Sequence, residues 1–445
     1  MIEKPKTKED VINLAKANDV KFIRLQFCDI HGAVKNMSVP VEQIEKILDN
    51  GMMLDGSSIR GFRTIETSDM YFFPDISTFQ ILPWRPQEDA VARIICDIHN
   101  SDGTPFEGCP RNNLKRVLKK AADMGFTMNV GPECEFFLFD TDDDGMPTTN
   151  IIDKGGYYDI EPTDQGADVR RAVIECIEEM GFEVEASHHE VAPSQHEIDF
   201  KYADALTTAD NVVSFKWATK AIADSFGLYA TFMPKPLGGV NGNGMHCNMS
   251  LFKDGKNVFF DESKEDGLSE TMKYYIGGIL KYVKEFAAVT NPIVNSYKRL
   301  VPGYEAPVYI AWSKMNRSAL IRVPASRGMG TRVELRCPDP STNPYLAFAV
   351  MLEAGLDGIT NKIEPPAEVN ENIYNLEMQT LKDRDINALP GDLNEAIFHM
   401  AESKIVRSAL GDHIFDHYVA TKHREYQEYR ANVSQWELDT YLASY

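Results

Sequence analysis

The chain has 445 residues, of which 43% are hydrophobic, so it is long enough to divide into two or more domains with ample apolar side chains for their cores. Its formal net charge of -21 argues against nucleic acid or an anionic membrane as a general partner, because the field of the whole molecule repels other polyanions. Seven scattered cysteines, with no CxxC pair, exclude a disulfide framework and a zinc knuckle and predict a cytoplasmic protein.

The first hundred residues predict a small α+β domain. A helical pattern over 7–18 precedes an apolar strand over 20–27 and a turn at 29–32. A segment rich in proline and glycine, 103–110, indicates the domain boundary, which we place between residues 107 and 108. The N-terminal segment is charged, and no run is long enough to span a bilayer, so we expect neither export nor membrane insertion.

Two glutamates, Glu133 and Glu135, lie two residues apart in an aromatic and apolar segment, 131–139, that predicts a buried strand. Both carboxylates should therefore face one side. Because buried carboxylates are costly unless they are compensated, the pair indicates a site for divalent cations. The alternative is a surface strand with both side chains in water, and the pair alone does not decide between the two.

Three further segments repeat this arrangement of polar side chains on one face. Residues 187–200 predict strand, turn and strand, since a proline at 193 forbids one continuous helix. Residues 240–251 predict a glycine-rich loop that leads into a strand, and residues 331–337 predict another strand. The polar residues of the three segments are, in chain order, Glu190 and Glu197, then His246, Asn248 and Ser250, then Arg332, Glu334 and Arg336.

Together the four segments supply five glutamates and one histidine as candidate metal ligands. This oxygen-rich set suits two or more Mg²⁺ or Mn²⁺ ions better than zinc. Taken singly, His246 could be an ordinary hydrogen-bonded histidine, and the residues around Glu334 could form an ion ladder between strands. Between 291 and 337 there are eight lysines or arginines against two acids, which predicts binding of a polyanionic small molecule such as a nucleotide.

Helical patterns dominate the rest of the chain. We predict helices from 112 onward, over 168–180, and after 340 over 343–356, 393–410 and 412–429. The last three are expected to serve packing and assembly.

Four long motifs, in order along the chain, resemble the bacterial type I glutamine synthetases: 55–58, 235–246, 291–307 and 332–336. The resemblance covers essentially the whole chain, whose length is similar to that of the Gram-positive subgroup. It implies an α+β fold, with a small N-terminal β-grasp-like domain over 1–107 and a catalytic domain over 108–445. The catalytic domain should have a curved, mainly antiparallel sheet surrounded by helices.

The resemblance also implies an activity. ATP would phosphorylate the side-chain carboxylate of L-glutamate, and ammonia would displace phosphate from the γ-glutamyl phosphate to give glutamine, ADP and phosphate. Glu135, Glu190 and Glu197 would hold one metal ion, and Glu133, His246 and Glu334 a second. ATP would lie against Glu185, Tyr202, Asn248, Ser250 and Arg332, with Arg317 and Arg322 on its phosphoryl oxygens. Glutamate would lie against Asn241, Gly242, Arg299, Glu305 and Arg336.

Ammonium would bind in a pocket made by Asp55, Ser58, Tyr157 and Glu190. Asp55 is the implied proton acceptor, Glu305 would close a flap at 302–307 over the site and take the last proton, and Arg317 would assist catalysis. Two of these residues have a plainer alternative: Asp55 could be a turn residue, and Glu305 could be an exposed loop charge. The family implies a dodecamer of two hexameric rings, in which Asp55 serves the neighbouring subunit.

Regulation follows the family less closely. Thr64 stands where the Gram-positive subgroup has an arginine used in feedback by glutamine, so that feedback is left open. Tyr374 lies near the position of an adenylylated tyrosine of the other subgroup, but its sequence context differs and we expect no adenylylation. The C-terminal segment, 436–445, could dock nitrogen-regulatory transcription factors. A γ-glutamyl ligase for other amines and a non-catalytic relative are the rival functions.

Overall fold

The computed structural model describes residues 4–445. Its N-terminal part contains α1 Lys8–Ala17, β1 Val20–Cys28, β2 Val34–Pro40, α2 Ile44–Asn50, β3 Met52–Asp55, β4 Asp69–Pro74, β5 Gln80–Ile81 and β6 Ala90–Asn100. These strands form a sheet in the order β2-β1-β6-β4-β3, and β5 pairs with β6. β1 and β6 run parallel, and the other pairs are antiparallel. α1 confirms the helix predicted over 7–18, and Thr7 and Asp10 form a capping box that stabilises its start.

The larger part alternates strands with helices. Its elements are α3 Pro110–Asp123, β7 Thr127–Thr141, β8 Pro147–Ile151, α4 Ala167–Glu179, β9 Val184–His189, β10 Gln195–Phe200, β11 Ala203–Asp204, α5 Ala205–Ser225, β12 Leu228–Thr231, β13 Met245–Lys253, β14 Lys256–Asn257, α6 Glu270–Thr290, α7 Ser296–Arg299, β15 Trp312–Ser313, β16 Ile321–Arg322, β17 Val333–Leu335, α8 Pro344–Asn361, α9 Met378–Asp383, α10 Leu393–Ala401, α11 Lys404–Arg430 and α12 Gln435–Tyr441.

One curled sheet of 11 strands organises this part, in the order β15-β16-β17-β13-β7-β10-β9. The long strand β7 also pairs with β8, β11 and β12, and β14 pairs with β13. β15 and β16 run parallel, whereas the pairs that carry the predicted ligands are antiparallel. The prediction of a mainly antiparallel sheet that gathers distant segments is therefore confirmed.

Two predicted elements differ from the structure. The strand expected over 331–337 is reduced to the three residues of β17, so that Arg332 and Arg336 flank it. The prediction of a single helix over 393–410 is wrong, because α10 ends at Ala401. Ser403 caps the start of α11 by accepting a hydrogen bond from the Val406 amide. α11 then bends at Gly411, whose φ of 72° lies outside the helical region.

The buried apolar side chains form a core that is continuous between the two parts. α6 and α8 approach so closely that a Cβ on Gly278 would lie 2.2 Å from the Ala354 carbonyl oxygen, which only glycine allows. At the junction, the buried Arg111 of α3 forms ion pairs with Asp75, Asp97 and Asp210. Among the helices of residues 4–445, none combines the length and the apolar character that crossing a bilayer requires.

Candidate active site

Strand register brings the predicted ligands together on one face of the curled sheet. Glu135 of β7 lies opposite Glu197 of β10, and Glu133 lies opposite Asp199 on one side and His246 of β13 on the other. Because directly opposed residues point to the same face, their side chains converge. They line a cavity of about 450 Å³.

A first cluster consists of Glu133, His246 and Glu334, whose candidate ligand atoms all lie within 4.8 Å of one another. His246 Nδ1 is 3.1 Å from Glu133 Oε2, and Asn248 Nδ2 donates to Glu133 Oε1 at 2.8 Å. Burial alone would raise the pKa of Glu133, but contacts with His246 first, and with Asn248 and Arg336, together outweigh it and lower that pKa. These are the three residues that the resemblance assigned to one metal ion.

A second cluster consists of His188, Glu190 and Glu197, again with candidate ligand atoms within 4.8 Å of one another. The predicted ligand Glu135 lines the same cavity but is not in this cluster. Its Oε2 accepts hydrogen bonds from Gln195 Nε2 and from the Gly244 amide, both at 2.9 Å.

Sequence reasoning missed His188, Gln195 and Asp199 as residues of this cavity. The signal for two of them was present, since His188 and Asp199 each lie two residues from a predicted ligand along an alternating strand.

The second cluster carries excess negative charge. Burial, followed by repulsion from Glu135, raises the pKa of Glu190 to about 8, and burial together with Asp199 raises the pKa of Glu197 well above its usual range. Burial and Glu133 raise the pKa of Asp199 to about 7. Carboxylates placed opposite one another destabilise a sheet unless a cation lies between them.

Two buried atoms at this place also lack hydrogen bonds within the described residues, Asp199 Oδ1 and His188 Nδ1. Their lone pairs, together with the surplus of carboxylate charge, fit a site for divalent cations held mainly by oxygen.

A second cavity, of about 300 Å³, adjoins the first, and Glu133, Asp199 and Arg332 line both. The resemblance assigned seven residues to ATP. Five of them line this second cavity: Glu185, Tyr202, Asn248, Ser250 and Arg332. Arg332 Nε donates to Asn248 Oδ1 at 3.0 Å. The remaining two, Arg317 and Arg322, line the cavity with the carboxylates.

The residues predicted to bind glutamate line the larger cavity too: Asn241, Gly242, Arg299, Glu305 and Arg336. Arg299 is buried and donates to the carbonyl oxygens of Arg336, Cys337 and Pro338. A Cβ on Gly242 would lie 2.2 Å from the Pro234 carbonyl oxygen, so the loop requires glycine there.

The segment 302–307, predicted to act as a flap, lines this cavity through Tyr304, Glu305 and Ala306. Asn241 Nδ2 donates to Glu305 Oε2 at 3.1 Å, and Glu305 has a φ of 56°, in the left-handed region. The Tyr374 hydroxyl donates to the Ala306 carbonyl oxygen. Polar contacts to Glu305 and to the next residue, Ala306, thus hold the segment next to the cavity.

Of the four residues predicted to bind ammonium, two line the cavity and two lie outside it. Tyr157 and Glu190 line the cavity, whereas Asp55 and Ser58 do not. Asp55 is exposed and accepts hydrogen bonds from the Ser57 amide at 2.9 Å and from the Ser58 hydroxyl at 3.1 Å. In the single chain it acts as the turn residue of the plainer alternative.

Carboxylate clusters that can hold divalent ions, a neighbouring nucleotide-sized cavity and a group of arginines define a class of ATP-using enzymes that transfer phosphoryl groups. The models of two protein families match the chain: "Glutamine synthetase, beta-Grasp domain" over residues 19–101 and "Glutamine synthetase, catalytic domain" over residues 107–441.

Curated relatives named glutamine synthetase match along nearly their whole length. Those of Clostridium saccharobutylicum and Methanosarcina mazei are each 60% identical, and that of Staphylococcus aureus is 56% identical; each match covers 99% of both chains. A solved structure described as a GmaS/ADP complex superimposes with a TM-score of 0.89 at 32% identity, covering 97% of this chain and 99% of that one. A Plasmodium falciparum glutamine synthetase gives 0.88 at 27%, covering 98% and 99%.

The chain belongs to the glutamine synthetase family. It is a glutamate–ammonia ligase that uses ATP to form glutamine, and the expected β-grasp and catalytic domains are confirmed. The boundary at 107/108 stays a prediction.

Proposed function

We propose that Glu135, Glu190 and Glu197 hold one Mg²⁺ or Mn²⁺ ion and that Glu133, His246 and Glu334 hold a second. The reaction would take place in the cavity that these residues line. The observation that carries this proposal is the register of β10, β7 and β13, which sets carboxylates opposite one another beside a second cavity. Bound ions would offset the charge that builds up when a carboxylate meets the ATP phosphates. Mg²⁺ and Mn²⁺ both accept such oxygen-rich ligands.

ATP would occupy the 300 Å³ cavity, with Tyr202 against its base and its phosphates directed towards Glu133. Glutamate would lie near Arg299, Asn241 and Glu305 in the larger cavity. An oxygen of its side-chain carboxylate would attack the γ-phosphorus and release ADP. Arg317 and Arg322 would stabilise the charge on the transferring group, since they line the larger cavity, where glutamate would meet the phosphates.

Ammonia would then attack the acyl carbon of γ-glutamyl phosphate, and phosphate would leave. Solution supplies mostly ammonium, so a proton must be removed before attack. Glu190 and Tyr157 would attract the cation, and Asp55 of a neighbouring subunit would accept its proton. The flap at 302–307 would exclude water, and Glu305 would take the last proton.

The participation of Asp55 depends on assembly. Because Asp55 and Ser58 are exposed on the N-terminal domain and do not line the cavity of their own chain, a site shared between subunits is consistent with their position. We propose a dodecamer of two hexameric rings, in which dilution to monomers abolishes activity. Sedimentation velocity run in parallel with glutamine formation would test this, and a fully active monomer would contradict it.

The test of the reaction compares ATP turnover with glutamate, with and without ammonium, in wild type and in Asp55→Ala. The variant should still phosphorylate glutamate weakly and form almost no amide, because it loses the ammonium pocket and keeps the phosphoryl-transfer residues. Asp102→Ala is a matched control, since Asp102 is also an exposed turn residue and accepts hydrogen bonds from the Thr104 amide and hydroxyl. Normal glutamine output from Asp55→Ala would refute the role given to Asp55.

The same assay with putrescine in place of ammonium separates this function from that of a γ-glutamyl ligase for other amines. Faster turnover with putrescine would favour the rival. We also propose a cytoplasmic location, which the seven buried, free cysteines support.

Regulatory partners can be tested directly. Exposed aromatic residues of the C-terminal segment, Trp436, Tyr441 and Tyr445, are suited to docking a nitrogen-regulatory transcription factor. A pull-down with and without glutamine tests this, and deletion of 436–445 should abolish the capture. Feedback by glutamine is left open by Thr64. The hydrogen bond from the Tyr374 hydroxyl to the protein's own backbone supports the expectation that this tyrosine is not adenylylated.

A further inference from the structure

A buried polar network lies on the opposite side of β9 and β10 from the carboxylate cavity. Because side chains alternate along β9, His188 faces the cavity while His189 points away from it and is fully buried. His189 Nε2 lies 3.0 Å from Asp153 Oδ1, and its Nδ1 lies 2.7 Å from the backbone carbonyl oxygen of Glu190. The ring therefore joins Asp153 to the residue that carries a cavity carboxylate.

Asp153 connects three parts of the chain. Besides His189, its carboxylate accepts hydrogen bonds from the amides of Gly155 at 3.2 Å, Gln165 at 3.0 Å and Ser194 at 2.9 Å. It thereby fixes both ends of the loop 153–165 and the turn between β9 and β10. A buried carboxylate with this many donors is a strong, charge-assisted anchor.

The anchored loop carries Tyr157 to the cavity. The Tyr158 amide donates to the His189 carbonyl oxygen at 3.1 Å, and the rings of Tyr157 and Tyr158 stack with centroids 4.1 Å apart. Both rings meet the edge of His188, at 5.3 Å and 4.8 Å. The position of Tyr157 relative to Glu190 thus depends on contacts made behind the sheet.

A second ion pair closes the network. Arg170 of α4 binds Asp164 through both of its terminal nitrogens, and its Nη1 donates to His196 Nδ1 at 2.8 Å. Asp153, His189 and His196 each offer a ligand atom within 4.8 Å, but Asp153 already accepts four hydrogen bonds and a guanidinium lies against His196. The hydrogen-bonded network therefore explains these residues better than a metal ion does.

We propose that Asp153 and His189 are positioning residues for ammonium: they hold the Tyr157 loop and the backbone of Glu190 in the geometry of the ammonium pocket. This inference rests on the pocket proposed above. Neither residue lines either cavity, so both act through Tyr157 and Glu190. Loss of the outer hydrogen-bond partner of a metal ligand typically costs about 10- to 100-fold in affinity or activity, and we expect a change of that size here.

The test is Asp153→Asn, with Asp168→Asn as a matched control because Asp168 is an exposed aspartate of the same region. In Asp153→Asn the KM for ammonium should rise about 10- to 100-fold. The KM for ATP should stay within about twofold, because the ATP cavity is lined by other residues. Equal rises in both KM values would indicate general loss of structure and would overturn the inference.

A measurement without turnover separates this inference from the proposed function. By hydrogen exchange and mass spectrometry, peptides covering 152–166 should exchange faster in Asp153→Asn, while peptides from the centre of β7 stay protected. Unchanged exchange over 152–166 would overturn the positioning role. Absence of glutamine formation by the wild type would instead overturn the reaction itself.

A milder variant covers the case in which Asp153→Asn fails to fold. The Ser194 hydroxyl accepts hydrogen bonds from the amides of Ile152 at 2.8 Å and Asp153 at 3.3 Å, and Ser194 has a φ of 62° that glycine adopts readily. Ser194→Gly removes this hydroxyl and keeps the amide that Asp153 binds. It should shift the ammonium KM in the same direction by a smaller factor, and an unchanged KM would contradict the proposal.

Discussion

Replacing Glu190 by glutamine is expected to stabilise the metal-free protein at pH 8 and to destabilise it, relative to the wild type, when Mg²⁺ or Mn²⁺ is present. Glu190 lies among other buried carboxylates, and burial and then Glu135 raise its pKa from 4.5 to about 8. The amide is similar in shape to the carboxylate and removes its charge. The same change also removes one candidate ligand of the second cluster.

The sign follows from proton binding. Between the pKa of the unfolded chain and that of the folded protein, the folded state holds a proton that the unfolded state has lost. This contribution to stability is complete below pH 4.5 and disappears as the pH rises through about 8. The metal-free wild type should therefore lose stability across this range, and Glu190→Gln should lose less.

The magnitude has an upper bound. A rise in pKa from 4.5 to about 8 corresponds to about 5 kcal/mol at 1.36 kcal/mol per pH unit. Side chains and water relax around the charge, so we expect about 1–3 kcal/mol. This predicts a higher melting temperature for Glu190→Gln in EDTA at pH 8 and a small difference at pH 5.

The assay is thermal unfolding by circular dichroism at a fixed protein concentration, with EDTA or with Mn²⁺, because an oligomer's apparent stability depends on concentration. Glu178→Gln is the control, since Glu178 is exposed on α4 and lies away from the carboxylate cluster. The reasoning fails if Glu190→Gln is no more stable than the wild type in EDTA at pH 8. It also fails if Mn²⁺ stabilises the two proteins equally.

Three further substitutions test other parts of the site. Tyr374→Phe removes the hydrogen bond to the Ala306 carbonyl oxygen, which is worth about 1 kcal/mol. The ratio of phosphate released to glutamine formed should rise, because water then reaches the acyl phosphate. An unchanged ratio would exclude a role of Tyr374 in holding the flap. Glu334→Gln leaves Arg322 and Arg336 without their buried anion. The free energy of unfolding, measured in urea, should fall by about 3–5 kcal/mol. A loss below about 1 kcal/mol would mean that water already screens these two ion pairs. Tyr202→Ala should raise the KM for ATP about tenfold through loss of stacking on the base, and the KM for glutamate should not change. A change in both KM values would argue that Tyr202 does not contact the nucleotide alone.

Local patterns determined much of the fold. The aromatic and apolar run in 131–139 and the alternation over 246–251 predicted β7 and β13 with the correct polar faces, because side-chain direction along a strand is a property of each strand alone. The same reasoning failed over 393–410, where apolar spacing continued through a helix end. There the Ser403 cap depends on backbone geometry that the hydrophobic pattern does not record, whereas the break predicted between 410 and 412 coincides with the bend at Gly411.

By itself, the sequence determined the residue types at the site, the strands that carry them and, through its resemblance to a family, the reaction. Only the tertiary structure decided which side chains meet. Register set Glu135 opposite Glu197, Gln195 and Gly244 donate hydrogen bonds to Glu135, and His188 lies within reach of Glu190 and Glu197. Pairing between strands far apart in the chain depends on the whole packed sheet, so no local pattern could have assigned these contacts.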